Sequence, residues 1–104
     1  MASGPSDVFA GTLIKTVSSA GTPVQLDSTL RFSSAVFFAK KAARTNNTGK
    51  VWIQFASTAS APAFEMNAGD ERSISAPVGK QFCASDIYID AANNGDGVVL
   101  IYQS

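Results

Sequence analysis

The stretch "SDIYIDAANNGDGVVLIYQ", residues 85–103, indicates how this chain folds. Two apolar runs flank an Asn- and Gly-rich segment at 93–97. In the first run isoleucines alternate with polar or acidic residues, the period of two that is typical of a half-buried strand. Asn, Asp and Gly tolerate the backbone angles of tight turns. The stretch therefore predicts a β-hairpin, with strands 85–91 and 98–103 paired around a turn.

The rest of the chain repeats this pattern of short strands and turns. Turn signals recur roughly every eight to twelve residues, which is typical of an antiparallel sandwich or barrel. The predicted strands are 8–17, 24–26, 34–42, 50–56, 64–66, 71–75, 85–91 and 98–103. The sequence therefore predicts an all-β chain: a single-domain antiparallel β-sandwich or jelly roll of about eight strands over 8–104, preceded by a flexible N-terminal arm, 1–7.

One segment is ambiguous. Residues 33–44 contain several Ala and Lys residues, which are good helix formers. The run Val36-Phe37-Phe38 favours a strand instead, and Asn46-Asn47-Thr48-Gly49 follows as the corner of a hairpin would. We predict a strand here.

Alternation also predicts the core. In "KVWIQFA", residues 50–56, the side chains of Lys50, Trp52 and Gln54 are expected to face outward. The predicted core consists of Val51, Ile53, Phe55, Ile87, Ile89 and one face of the last strand, either Val98 with Leu100 or Val99 with Ile101.

Composition limits the function. The chain has 104 residues, of which 45% are hydrophobic and 15% charged, against about 25% charged in typical domains. A surface so poor in charge suits a protein that is packed against others. Eight basic and eight acidic residues give a formal net charge of zero, which argues against nucleic acid and against an anionic membrane as partners, since both attract basic proteins.

The chain contains no apolar run of about eighteen residues that would predict a membrane span. Its first residues, "MASGPSD" (1–7), lack the basic segment and apolar core of a secretion signal. We therefore expect a protein that is made in the cytoplasm and leaves it, if at all, within an assembly.

The sequence contains few side chains that are suited to catalysis. Cys83 is the single cysteine and there is no histidine, so the commonest general base and the commonest zinc ligand are both missing. Asp86 and Asp90 would lie about 13 Å apart along a strand, farther than the roughly 5–9.5 Å of glycosidase carboxylate pairs. A calcium loop starting at Asp90 would need an oxygen ligand at Ala92. We predict no catalytic, metal-binding or cofactor-binding residues, and a protein that is not an enzyme.

Two features are candidates for binding. Four basic residues lie close together in the sequence and form either solvated strand ends or a patch that docks on an acidic neighbour. Trp52 is an interface anchor, a sugar platform, or a residue covered by a second sheet. The candidate interface comprises Phe37, Lys40, Lys41, Arg44, Lys50 and Trp52.

Three stretches together resemble a known family. They are "NTGKVWI" at 47–53, "AGDERSI" at 68–74, and "IYIDA" at 87–91 followed by "GDGV" at 95–98. In this order they look like small structural proteins of tailed-bacteriophage virions, many of which are β-sandwich or jelly-roll decoration (cement) proteins. The resemblance covers about residues 24–103.

This resemblance implies a virion structural protein, first of all a capsid decoration protein that binds and stabilises the assembled phage head. The implied partners are the major capsid protein or other virion proteins, and the implied state is a homo-oligomer, a dimer or trimer, located in the virion. One alternative is a phage tail, neck or fibre module. Another is a carbohydrate-binding module that uses Trp52 with Tyr88 or Tyr102.

Overall fold

The computed structural model describes residues 10–58 and 62–104. Within these ranges the chain forms twelve short strands and one 3₁₀ turn, Ala84–Asp86. The strands are β1 (Ala10–Thr16), β2 (Val24–Gln25), β3 (Arg31–Phe32), β4 (Ser34–Phe38), β5 (Lys40–Ala42), β6 (Thr45–Asn46), β7 (Val51–Gln54), β8 (Ala63–Met66), β9 (Glu71–Ser75), β10 (Phe82–Cys83), β11 (Tyr88–Ala91) and β12 (Gly97–Gln103). The predicted arm, 1–7, lies outside the described residues.

Two four-stranded antiparallel sheets form the body of the protein. The front sheet has the strand order β1-β12-β4-β9, and the back sheet has the order β2-β11-β7-β8. Two small pairs, β3 with β10 and β5 with β6, complete the structure. The predicted all-β antiparallel sandwich is confirmed.

The strand pairing runs from the ends of the chain toward its middle. β1 pairs with β12, β2 with β11, β4 with β9, and β7 with β8. The first half of the chain therefore forms one long antiparallel ribbon with the second half, and this ribbon wraps over itself to give the two sheets. As a result, strands that follow one another in sequence mostly alternate between front and back.

Alternate side chains of both sheets meet in the core. Val51, Ile53, Ile87 and Ile89 are fully buried, as predicted, and the last strand turns Val98 and Leu100 inward. The other members of the buried cluster are Val17, Leu26, Phe32, Ala35, Phe37, Ala39, Met66, Ala84 and Ala91.

The prediction that Phe55 belongs to the core is wrong, since its side chain is 50% exposed. β7 ends at Gln54, and the alternation ends with it. Gln54, which was expected to face solvent, is buried, and its side-chain amide is satisfied by hydrogen bonds that it donates to the carbonyls of Ala56 and Thr58. The bend that these bonds hold turns Phe55 outward against the rings of Phe64 and Phe82.

The predicted hairpin of residues 85–103 is also wrong. Its turn exists, but β11 belongs to the back sheet and β12 to the front sheet. Residues 92–96 therefore cross between the two sheets. The same holds for 46–49, which was expected to be a hairpin corner but leads from the front sheet to the back. Turn residues indicate where the chain reverses, while long-range packing decides which strands pair.

The ambiguous segment 33–44 contains two strands, as predicted in kind, but it is not one strand, and its last two residues, Ala43 and Arg44, form a turn. β4 ends at Phe38 and β5 begins at Lys40, separated by the buried Ala39. The carbonyl of Ala39 accepts hydrogen bonds from the amides of Asn47 and Gly69 instead of continuing the ladder. This break redirects the chain toward the crossing at 46–49.

Candidate functional site

The two segments that cross between the sheets, 46–49 and 92–96, are joined by hydrogen bonds. The Asp96 carboxylate accepts hydrogen bonds from the Thr48 amide at 3.0 Å, the Thr48 hydroxyl at 2.9 Å and the Gly49 amide at 2.9 Å. Asn47 donates to the Gly97 carbonyl at 2.8 Å and accepts from the Gly97 amide at 3.0 Å. We call these five residues the clasp. Asp96 is only 1% exposed, so its carboxylate is committed to joining the two crossings.

Asp86 and Asp90 lie in different environments. Asp90 is buried, and its Oδ1 accepts from the amides of Gly21, at 2.9 Å, and Ala91, at 2.8 Å. Asp86 is exposed at the end of the 3₁₀ turn. Asp90 therefore holds the turn at 19–22 over the back sheet, whereas Asp86 faces solvent.

Metal-ligating side chains are also scattered. Within residues 10–58 and 62–104, no three His, Cys, Asp or Glu side chains lie close enough to hold a metal ion. In the same part of the chain, every fully buried side-chain nitrogen or oxygen has a hydrogen-bond partner. Each of these buried groups is therefore paired within the fold.

The candidate interface residues do not form one surface. Phe37 is fully buried in the core, so its assignment to an interface is wrong: β4 alternates, and Phe37 lies on its inner face. The Lys40 ammonium lies 6.0 Å from the Phe38 ring at the front sheet, whereas Lys50 pairs with Glu65 at 3.3 Å on the back sheet.

Within residues 10–58 and 62–104, the other two basic residues of the candidate interface, Lys41 and Arg44, form no ion pair. Lys41 is half-buried in β5, and Arg44 is exposed in the following turn. Whether they take part in an interface stays a prediction.

Trp52 is half-buried on the outer face of the back sheet, beside Glu65 of β8. Its indole N–H donates to Glu65 Oε1 at 3.2 Å. The Lys50 hydrogen bond, followed by the Trp52 hydrogen bond, lowers the pKa of the Glu65 carboxyl below its usual value. Tyr88 lies on the same outer face, since Trp52 stands opposite Asp90 in the ladder. Tyr102 lies on the inner side of the front sheet, so only Tyr88 can act together with Trp52.

A further exposed apolar surface was not predicted. It is the outer side of the front sheet, which we call the front face: Ala10, Thr12, Ile14 and Thr16 of β1; Gly97, Val99, Ile101 and Gln103 of β12; Ser34, Val36 and Phe38 of β4; and Glu71, Ser73 and Ser75 of β9. Ile14 is 46% and Ile101 48% exposed. Among these residues only Glu71 is charged.

A sequence signal for the front face does exist. Leu13 and Ile14, like Leu100 and Ile101, are adjacent apolar residues, and neighbours on a strand point to opposite faces. Such a strand is apolar on both sides. Burial in the core explains why one side is apolar, but it does not explain the other side.

No protein-family model, curated protein or solved structure matches this chain. The resemblance to phage virion proteins therefore depends on the motifs alone, and part of those motifs forms the clasp. Among the described residues there is no helix of the length and apolar character needed to cross a membrane.

Proposed function

We propose that this chain is a virion structural protein of the tailed-phage type, a capsid decoration subunit that binds the assembled head through its front face. The front face is the observation that carries the proposal. It combines two half-exposed isoleucines with hydroxyl side chains, and its charged groups are the Glu71 carboxylate and the Lys40 ammonium over the Phe38 ring. The proposed role is non-enzymatic and requires no cofactor.

The energetics of such a face favour docking. Burial of apolar surface contributes about 25 cal/mol per Å², and the front face offers this gain with few charges to desolvate. Monomeric proteins rarely expose large contiguous apolar patches, and those that exist are often interaction sites. The partner expected from this chemistry is a flat protein surface of low charge, which a joint between major capsid proteins would provide.

The strand pairing supports this proposal by analogy. A long antiparallel ribbon folded over into two four-stranded sheets is what we interpret as a jelly roll, an architecture that viral capsid and lectin domains use. A fold by itself does not determine a function, so the analogy only adds to the argument from the front face.

A decoration protein acts through preferential binding. A subunit that binds the assembled head more tightly than its separate components stabilises the head by mass action. The clasp suits such a role because it joins the two sheets at their crossings with hydrogen bonds, without a disulfide.

Co-sedimentation with heads of the source phage tests the proposal. Wild-type protein at micromolar concentration should sediment with mature heads. Ile101→Lys places a charge in the centre of the front face and should weaken binding by about tenfold or more, since an unpaired buried charge is costly. Val78→Lys is the matched control, because Val78 is a fully exposed aliphatic residue in a loop after β9.

Two results would contradict the proposal. One is wild-type protein that sediments with neither empty nor mature heads. The other is Ile101→Lys protein that binds as well as the Val78→Lys control.

A second candidate function is favoured by one observation: Trp52 and Tyr88 share the outer face of the back sheet. Aromatic side chains on an exposed sheet are suited to stacking on sugar rings. A glycan array would detect this activity, and the signal should disappear in Trp52→Ala but persist in Ile101→Lys. Absence of binding to every glycan would exclude it.

A further inference from the structure

We propose that the outer edge of β1 pairs with β1 of a second copy of this chain, so that two front sheets join into one continuous antiparallel sheet. This inference is independent of the virion role. It concerns the edge of the front sheet, whereas the docking proposed above uses its face.

The four sheet edges of the sandwich differ in how they are protected. Edge strands expose unpaired backbone groups, and proteins block them with short strands, prolines or charges. β2 is two residues long and follows Pro23, and β8 follows Pro62 and carries Glu65. β9 begins with Glu71 and Arg72 and is followed by Pro77. Three of the four edges therefore carry features that oppose pairing.

β1 carries none of these features. It is seven residues long, contains no proline, and pairs with β12 in unbroken register from Ala10 to Thr16. Its one charged residue, Lys15, lies near its end. Within residues 10–58 and 62–104 no strand pairs with its other edge. Gly11 does not leave a gap in the strand, because the Tyr102 ring fills the space where a β-carbon would be.

The direction of the free backbone groups follows from the ladder. The Val17 amide donates to the Asp96 carbonyl at 2.8 Å, so Val17 faces β12. Backbone groups alternate in direction along an antiparallel strand. The N–H and C=O groups of Thr12 and Ile14, together with those of Ala10 and Thr16, therefore point away from β12 and are available to a further strand.

The outward-pointing N–H and C=O groups of β1 are complementary to the same groups on β1 of a second copy. With a two-fold axis at Leu13, Thr12 stands opposite Ile14 of the second copy, and each such pair exchanges two hydrogen bonds. Pairs of β-branched side chains across strands add stability. A contact of this kind is isologous and closes as a dimer instead of extending into a fibre.

Sedimentation equilibrium of the full chain tests the edge contact. Wild-type protein should have twice the mass of a single chain. Ile14→Lys sets two like charges near each other across the axis and should raise the dimer dissociation constant by about tenfold or more. Ile101→Lys is the matched control: Ile101 is equally exposed on the same face, but β12 lies one strand inside the edge, so this variant should remain dimeric.

The outcomes separate edge pairing from other contacts. Loss of the dimer in Ile14→Lys alone supports the proposal. Three results would overturn it: a monomeric wild type, a dimer that persists in both variants, or a dimer that is lost in both. Loss in both variants would indicate association through the front face. If Ile14→Lys lacks the wild-type circular dichroism spectrum, Thr12→Lys on the same edge replaces it.

A cross-link tests the register. In a Cys83→Ser background, Thr12→Cys combined with Ile14→Cys should form a covalent dimer on mild oxidation, since facing residues of hydrogen-bonded pairs lie about 5.5 Å apart, within disulfide range. Ile101→Cys in the same background is the control and should stay uncoupled. Failure of the double variant to cross-link faster than this control would overturn the proposed register.

Discussion

At the clasp, Asp96 is almost completely buried and its carboxylate accepts hydrogen bonds from Thr48 and Gly49. On the front face, Ile14 and Ile101 are apolar and nearly half exposed. The clasp contains the polar, Gly-rich residues that usually suggest a site, yet they stabilise the fold. The front face contains ordinary strand residues, yet it is the surface for which we propose a docking role.

This contrast shows that residue type alone does not separate functional residues from structural ones. A buried carboxylate must be paired, and once it is paired with backbone amides it has few lone pairs left for chemistry. An exposed isoleucine has no local requirement to be apolar. The informative observation is a side chain in an environment opposite to its polarity.

The largest effect is expected at Gly97 of the clasp. A β-carbon there would meet the Lys15 carbonyl oxygen and the Thr16 Cα, which are backbone atoms of β1 and cannot move aside. Gly97→Ala should lower the free energy of unfolding by about 4 kcal/mol or more, measured by urea denaturation. In Gly21→Ala the added carbon meets nothing within 4 Å, and only the positive φ costs about 1–2 kcal/mol. Equal losses of unfolding free energy in Gly97→Ala and Gly21→Ala would show that β1 and β12 do not approach each other so closely at Gly97.

Two isoleucines compare the core with the front face directly. Ile53→Ala leaves a cavity in the core and should lower the free energy of unfolding by about 2–5 kcal/mol. Ile101→Ala removes a half-exposed side chain and should cost less than about 1 kcal/mol. Thermal and urea unfolding measure both. A larger loss for Ile101 would mean that the faces of β12 are reversed, because a one-residue slip exchanges the two sides of a strand.

Asp96 tests whether the clasp is structural. Asp96→Ala leaves the amides of Thr48 and Gly49 without their acceptor and should cost about 2 kcal/mol. Asp86→Ala removes an exposed carboxylate and should change stability by less than about 0.5 kcal/mol. Hydrogen exchange should become faster at the two clasp amides in the first variant only. Unchanged exchange there would contradict the assigned role.

The smallest effect on stability is expected at Asp27. Its carboxylate binds backbone amides, as Asp96 does at the clasp, but it lies close to solvent, as the front face does. Its Oδ2 accepts from the Thr29 amide at 3.0 Å and the Leu30 amide at 2.8 Å, and these bonds, Thr29 first, lower the pKa of Asp27 below 3.8. A lowered folded-state pKa stabilises the protein above the unfolded-state pKa, and this contribution is lost as the pH falls through the folded-state value. The stability difference between wild type and Asp27→Ala should therefore be constant near neutral pH and decrease in acid below about pH 3.8. A stability difference between the two proteins that increases as the pH falls would contradict the predicted direction.

Strands and turns could be predicted from the sequence because their signals are local. Gly21 and Gly69 have positive φ in the turns that separate predicted strands, and alternation placed Ile53 and Ile89 in the core correctly. Two-residue strands such as Arg31–Phe32 were missed because they are too short to show a period. Phe55 was misplaced because the alternation rule assumes that the strand continues.

The candidate site could not be predicted in the same way. Lys40 and Lys50 are close in sequence but belong to opposite sides of the sandwich. The chain crosses from one sheet to the other between them, and nothing in the local pattern distinguishes this crossing from a hairpin.

By itself the sequence determined that this chain is β-rich, that it forms a core from alternating apolar residues, and where it turns, because period and turn chemistry depend on near neighbours. Only the tertiary structure decided that most consecutive strands lie in different sheets, that Asp96 binds Thr48 and Gly49 while Gly97 binds Asn47, and that within the described residues no strand pairs with the outer edge of β1. Those outcomes depend on which strands pair across the whole length of the chain, and pairing is selected by the burial of both sheets together.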